Sequence, residues 1–311
     1  MRYSLLDRAN TLSGSTDAEA LRRVVGRAQA AEEAGYHRFL VAEHHGVPGI
    51  AGSAPGVLAA AVGQATGTVR IGTAGIMVPD HPPLVAAEQA AVLESLFPGR
   101  VDIGLGSSVG FTPAVRRALR QPEDAGEAAA GFAADLREVV DYLRGRTAVT
   151  LRPSLDVPPD LYLLTGGSAR SLELARELGL GVVLGGPGPS RVDGAVVSRQ
   201  VAVADSRDEA RDLVLPEVWA QVLARSTGRF MPLRPVGELD EADLTAQQRR
   251  RVGRGLEAAI YGTPDEVSAA VAALADRTGA AELLVTGGAS DPAAQARSDA
   301  ALAGILSSVR R

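Results

Sequence analysis

Short apolar runs alternate with longer amphipathic stretches along most of this chain, and that alternation restricts the fold more than any other feature. Runs at 3–6, 39–42, 69–76, 101–105, 161–164, 181–184, 200–204 and 282–285 read as strands. Helical patterns occupy 17–34, 55–65, 84–96, 132–143, 171–178, 208–225 and about 292–306. Parallel strands need a crossover that a helix supplies, so this order predicts a parallel α/β fold. Local signals agree. The run Gly14-Ser15-Thr16 caps the first helix and Gly35 closes it, while Pro55 opens the second where its missing N–H costs nothing. Eight such strands with no compositional break favour a single (β/α)8 barrel over 1–311; a doubly wound open sheet is the alternative. Two stretches exceed a minimal barrel. The Gly/Pro-rich 185–199 reads as a loop after the sixth strand, and 226–254, with Pro232 and Pro235, reads as a mobile insertion. Long loops after strands gather at the C-terminal mouth and can serve as lids.

Composition then narrows the chemistry. Of 311 residues none is Cys, which removes disulfides, thiolate metal sites and Cys nucleophiles. All 32 basic residues are Arg, so Schiff-base chemistry on a Lys amine is absent too. A 46% hydrophobic content builds a large core, and with 4% aromatics that core must be Ala, Val and Leu. The net charge of −5 argues against generic nucleic-acid binding. No apolar run reaches the roughly 18 residues of a membrane span, and MRYSLLDRAN lacks a signal-peptide pattern. A soluble, cytoplasmic protein is expected.

Barrel active sites collect just past the strand ends, so polar residues there are the candidates. Three of the four His residues qualify: His44 and His45, beside Glu43 after the second strand, and His81 after the third. His37 precedes a strand and reads as an ordinary surface residue. A metal would need ligands converging from several segments, and adjacent His44 and His45 point apart. Acid/base work by one imidazole is the better reading, with loop hydrogen bonding as the bland one. No metal is expected. Gly-rich loops follow the fourth strand, through Ser107, and the fifth, through Gly167, Ser168 and Ser171. Backbone N–H groups and hydroxyls at a helix start can cradle a phosphate, or merely turn and cap the chain. The lack of Lys excludes a Walker loop, so one phosphate at a barrel mouth suggests a mononucleotide such as FMN. The small residues of Ile71-Gly72-Thr73-Ala74-Gly75 either admit a flat ligand or serve tight barrel packing.

Together the segments AEHHGVPG, IGTAGIMVPDHPPLVAAEQ and FPGRVDIGLG resemble the bacterial luciferase-like flavin monooxygenase family. The resemblance runs from LLDRANTLSGST to YGTPDEV and AELLVTGG, sparing only 226–254. It implies a (β/α)8 barrel, FMN as cofactor and a separate reductase that supplies it reduced. It further implies His44 as acid/base, Glu43 beside the flavin ring and His45 next to them. Ala74 and Gly75 match the pair joined by a non-prolyl cis peptide that supports the flavin, and Gly167, Ser168 and Ser171 match the phosphate segment. Ser107 stands where many relatives carry an Arg, whose bidentate phosphate contact Ser cannot reproduce. Arg116, Arg117 and Arg170 are the candidates to replace it. Leu184-Gly185-Gly186 stands where relatives often carry an Ala-His-His-like segment.

The reading that follows is a reduced-FMN- and O2-dependent monooxygenase acting on a small, largely apolar organic substrate, as in secondary metabolism, within a pocket closed by 226–254. The alternatives are a non-catalytic or weakly flavin-binding barrel, a deazaflavin-dependent oxidoreductase, and a metal-dependent hydrolase. Relatives pair through helices beside the second and third strands, and the Ala/Gly-rich 55–65 allows close helix contact. A homodimer is therefore expected, with no nucleic-acid or membrane partner.

Overall fold

Strand β1 (Arg2–Asp7) shows how the wall is made. Leu5 joins a large outer cluster with the helices, while Leu6 joins a small inner one with Leu40, Ala42, Ala74, Val183, Val196 and Leu284. β1 is thus apolar on both faces, as a parallel barrel wall requires. This is a computed structural model describing residues 1–186 and 191–309.

After β1 come α1 (Asp17–Glu33), β2 (Arg38–Val41), α2 (Pro55–Ala65), β3 (Arg70–Met77) and α3 (Pro83–Leu96). A capping box starts α1: the Thr16 side chain accepts from Glu19 N–H, and Glu19 reaches back to Thr16. β4 (Val101–Gly106) leads into two short helices, α4 (Pro113–Ala118) and α5 (Ala125–Ala129), and then α6 (Phe132–Leu143). β5 (Asp160–Thr165), α7 (Ala169–Leu178), β6 (Gly181–Leu184) and β7 (Val196–Val203) follow. The last part holds α8 (Arg207–Thr227), α9 (Ala246–Ala258), β8 (Ile260–Gly262), α10 (Pro264–Thr278), β9 (Glu282–Thr286) and α11 (Pro292–Val309).

All pairings are parallel, in the order β6-β5-β4-β3-β2-β1-β9-β7, and a β6–β7 contact closes the ring. The fold is the expected (β/α)8 barrel with one strand more. β8 lies outside the ring and pairs only with the far end of β7, at Val201–Val203. No helix is long and apolar enough to cross a membrane among the described residues.

Two expected boundaries move. β7 begins at Val196, four residues earlier than the apolar run suggests, because Val196 to Gln200 pair along β9 even though Ser198 and Arg199 interrupt the pattern. The 185–199 loop is correspondingly shorter, and 187–190 of it lie outside the described residues. Within 226–254, Leu244 and Val252 are buried with Val218 and Trp219 of α8. Phe230 and Leu233 pack against Ile50 and Ala220, and Leu233 N–H bonds Thr11 O at 2.9 Å. This segment is laced onto the loops after β1 and β2.

Candidate active site

The strand ends open on a cavity of about 680 Å³, within the usual range for small-molecule sites. Leu6, Val183 and Leu284 form an apolar floor. Arg8, Glu43, His44, His45, Ala74, Gly75 and Ser107 line it, so six of the nine residues read from sequence meet there. The rim comes from 106–111, 164–166 and 185–186. None of 226–254 lines the cavity; the loop after β4 borders it instead, with Phe111 half exposed.

The turn that presents the His residues is held by backbone. His44 N–H donates to Gly52 O at 2.8 Å, and Gly46 turns the chain at φ 63°. Gly52 must lack a side chain, since a Cβ would stand 2.8 Å from Arg8 O. Opposite, the Ala74–Gly75 peptide is cis, as the resemblance implies, and the register of β3 on β4 skips Gly75.

Glu43 makes no hydrogen bond to its neighbour His44. Its Oε1 accepts from His45 Nε2 and His81 Nε2, both at 2.6 Å, and its Oε2 accepts from Met77 N–H at 2.7 Å. The carboxylate reaches these donors because β2 and β3 are neighbours in the ring. Burial works to raise the Glu43 pKa, but these three hydrogen bonds outweigh it and hold the group below its usual range. The bond to Glu43 raises His45. Asp80 faces the same trio, with Oδ2 3.8 Å from His45 Nε2 and Oδ1 accepting from Gln121. Burial, then the nearby Glu43, push it up to about 6.

His81 brings a third possible metal ligand, from another segment, to Glu43 and His45. In this structure both imidazoles are bonded to the same carboxylate oxygen at 2.6 Å.

His44 stands apart. It is half-buried, its buried Nδ1 has no hydrogen-bond partner, and desolvation followed by the charge of Arg8 lower its pKa to about 4. At neutral pH it is an uncharged imidazole on the cavity wall, able to accept a proton.

Gly167, Ser168 and Ser171 lie beyond the cavity lining, on the turn that opens α7. Ser168 Oγ accepts from Ser171 N–H at 3.3 Å, and Ser171 Oγ lies 2.6 Å from Thr165 Oγ1. Their hydroxyls cap and brace the helix, while Thr165 and Gly166 reach the cavity itself. Arg116 cannot stand in for an Arg at 107, because it donates to Gly110 O and Glu123 O. Arg117 is taken by Glu123, which leaves Arg170, exposed in the first turn of α7.

The luciferase-like monooxygenase family model matches residues 1–282. The chain belongs to the luciferase-like monooxygenase family. It is an oxidoreductase by that membership. It is 32% identical over 308 residues to the uncharacterized protein YvbT of Bacillus subtilis, covering 91% of this chain and 90% of that one. It is 36% identical over 194 residues to N-acetyl-S-alkylcysteine monooxygenase of Bacillus subtilis, covering 59% and 56%. The crystal structure of apo-MsnO8 superimposes with a TM-score of 0.83 at 27% identity, over 98% of both chains.

This luciferase-like barrel has room and polarity for a flavin-type cofactor. A Cβ at Gly166, Gly185 or Gly186 would meet nothing within 4 Å, so open space lies over that backbone. An apolar floor with one buried imidazole nitrogen left to bond suits a flat ring with a polar edge. Asp80 and Arg8 are the site residues that sequence reasoning missed. Each lies past a strand end, the same signal that marks the His residues.

Proposed function

We propose that this protein is a reduced-FMN-dependent monooxygenase of small, largely apolar organic molecules. The observation that carries the proposal is the neutral His44, with a free buried Nδ1, on the wall of an apolar strand-end cavity. When bound, reduced FMN supplies two electrons, so one oxygen atom of O2 enters the substrate and the other leaves as water. Ala74, Gly75, Thr165 and Gly166 would hold the ring and its tail, with Ser168 and the first turn of α7 nearest the phosphate. Leu6, Val183 and Leu284 exclude water. His44 takes or returns a proton at Nδ1, and Glu43 fixes His45 and His81 rather than His44. A separate reductase provides the reduced cofactor, which sets the reaction in the cytoplasm, where reduced nicotinamide is regenerated.

The test is O2-dependent substrate oxidation with FMN and a generic flavin reductase. His44→Ala should slow it by about 10²–10⁴-fold, the usual worth of a positioned acid/base. Equal rates would remove His44 from catalysis. Turnover with reduced deazaflavin and none with FMN would assign the protein to hydride transfer instead.

We also propose a homodimer through α2 and α3. Val57 of α2 is 74% exposed, and Val85, Val92 and Leu96 form an exposed stripe on α3 at helical spacing. Val92→Glu with Leu96→Glu should give a monomer in sedimentation, and an unchanged mass would place the interface elsewhere.

A further inference from the structure

The three charged groups nearest the cavity differ in what they leave free. Glu43 has both oxygens taken by His45, His81 and Met77 N–H. Glu217 of α8 lies wholly buried behind the wall, and its oxygens are taken by Arg8, Gln221 and Gly288 N–H. Arg8 bonds Glu217 through Nη1 alone, and its other N–H groups have no partner among the described residues. A guanidinium carries five donors and accepts nothing, so Arg8 shows the cavity a positive face that an anion would complete. Its side chain is 24% exposed, and no other Arg among the described residues lines the cavity. Glu217 fixes it between α8 and the chain after β9, so little reordering is needed on binding.

We propose that Arg8 is a specificity residue that makes this site prefer the anionic, reduced form of its flavin-type cofactor over the neutral oxidised form. The proposal rests on the monooxygenase reading. A reduced isoalloxazine can lose a ring proton and spread the negative charge over its polar edge, whereas the oxidised ring carries none. One unit of charge beside a guanidinium in an apolar cavity separates the two forms. An enzyme that borrows reduced cofactor gains by this, since the oxidised product leaves more readily than the reduced form did.

The experiment compares anaerobic binding of dithionite-reduced FMN with binding of oxidised FMN. Arg8→Met would strand the buried Glu217, so it is made together with Glu217→Gln. In this double variant the ratio of oxidised to reduced Kd should fall about tenfold, equal to about 30 mV in the two-electron potential of bound FMN. Arg8→Lys should restore most of the preference, and Glu217→Gln alone should keep it, because the cation remains. A ratio within twofold of wild type in the double variant overturns the assignment, as does loss of the preference in Glu217→Gln alone. Wild type binding neither form of FMN would sink the monooxygenase reading itself, a result distinct from an unchanged ratio.

Discussion

The two ends of the barrel both bury charge, yet they treat it differently. At the closed end Arg38 lies between Glu282 and Asp102, with Nη2 2.9 Å from Glu282 Oε2 and Nη1 3.2 Å from Asp102 Oδ1. Arg70 grips Asp102 with two bonds of 2.8 Å, Ser4 donates to Glu282 at 2.6 Å, and the Tyr162 ring lies 4.9 Å from the Arg38 guanidinium. At the open end, His44 Nδ1 and Asp80 Oδ2 are buried without a partner. Burial of charge therefore does not mark the site. Nor does an unpartnered buried atom alone, since Glu94 Oε2, beside Gly99 at the closed end, is another; what sets the mouth apart is such an atom, His44 Nδ1, on a cavity wall where barrel chemistry gathers.

The largest effect that would break this contrast is His44→Ala, since a loss of turnover should come with little change in stability. Next is Arg38→Met, which leaves two buried carboxylates short of their cation. It should cost about 3–5 kcal/mol in urea unfolding while FMN affinity stays unchanged. Coupled loss of FMN binding would merge the two ends into one functional unit.

Asp80→Asn should act in the opposite sense, and only above acid pH. Asp80 rises from 3.8 to about 6 in the fold, so the folded state holds its proton more tightly and stability is lost as pH climbs through that window. Asn cannot ionise, so at pH 7.5 the variant should be more stable by on the order of 2 kcal/mol, and near pH 4 the gain should vanish. His44 runs the other way. Its drop from 6.5 to about 4 makes stability rise with pH across that interval, a slope that Asp80→Asn should unmask in Tm measurements. The smallest effect is at Ser107. Ser107→Arg should tighten FMN about tenfold by fluorescence titration, through a charge-assisted phosphate contact. No change would show that the phosphate lies toward Arg170 instead.

Much of this was legible in the sequence because it is local. Glu43, His44 and His45 follow β2 directly, and the helix limits of α2 and α6 agree with the apolar pattern to the residue. The pattern assigns nothing to 255–281, where β8 has only three residues, although Thr263-Pro264 ahead of Glu266 is a legible cap for α10. Arg8 was hidden for another reason. One Arg past a strand is unremarkable until Glu217, 209 residues away, turns out to hold it. The Glu43–His81 bond likewise depends on β2 and β3 lying side by side, which residue spacing alone does not report.

Strand β7 has a consequence for how such chains can diverge. Its first residues close the ring against β6 and β9, while its last three receive β8 on the outside. The excursion from α8 through α9 thus departs from and returns to one strand. Residues added or deleted between the anchors Leu233 and Leu244 need not alter the ring's circumference, and doubling a loop's length costs only about 0.6 kcal/mol in closure entropy. The segment is an exchangeable cassette, and what it touches can be rewritten while the barrel beneath keeps its registration.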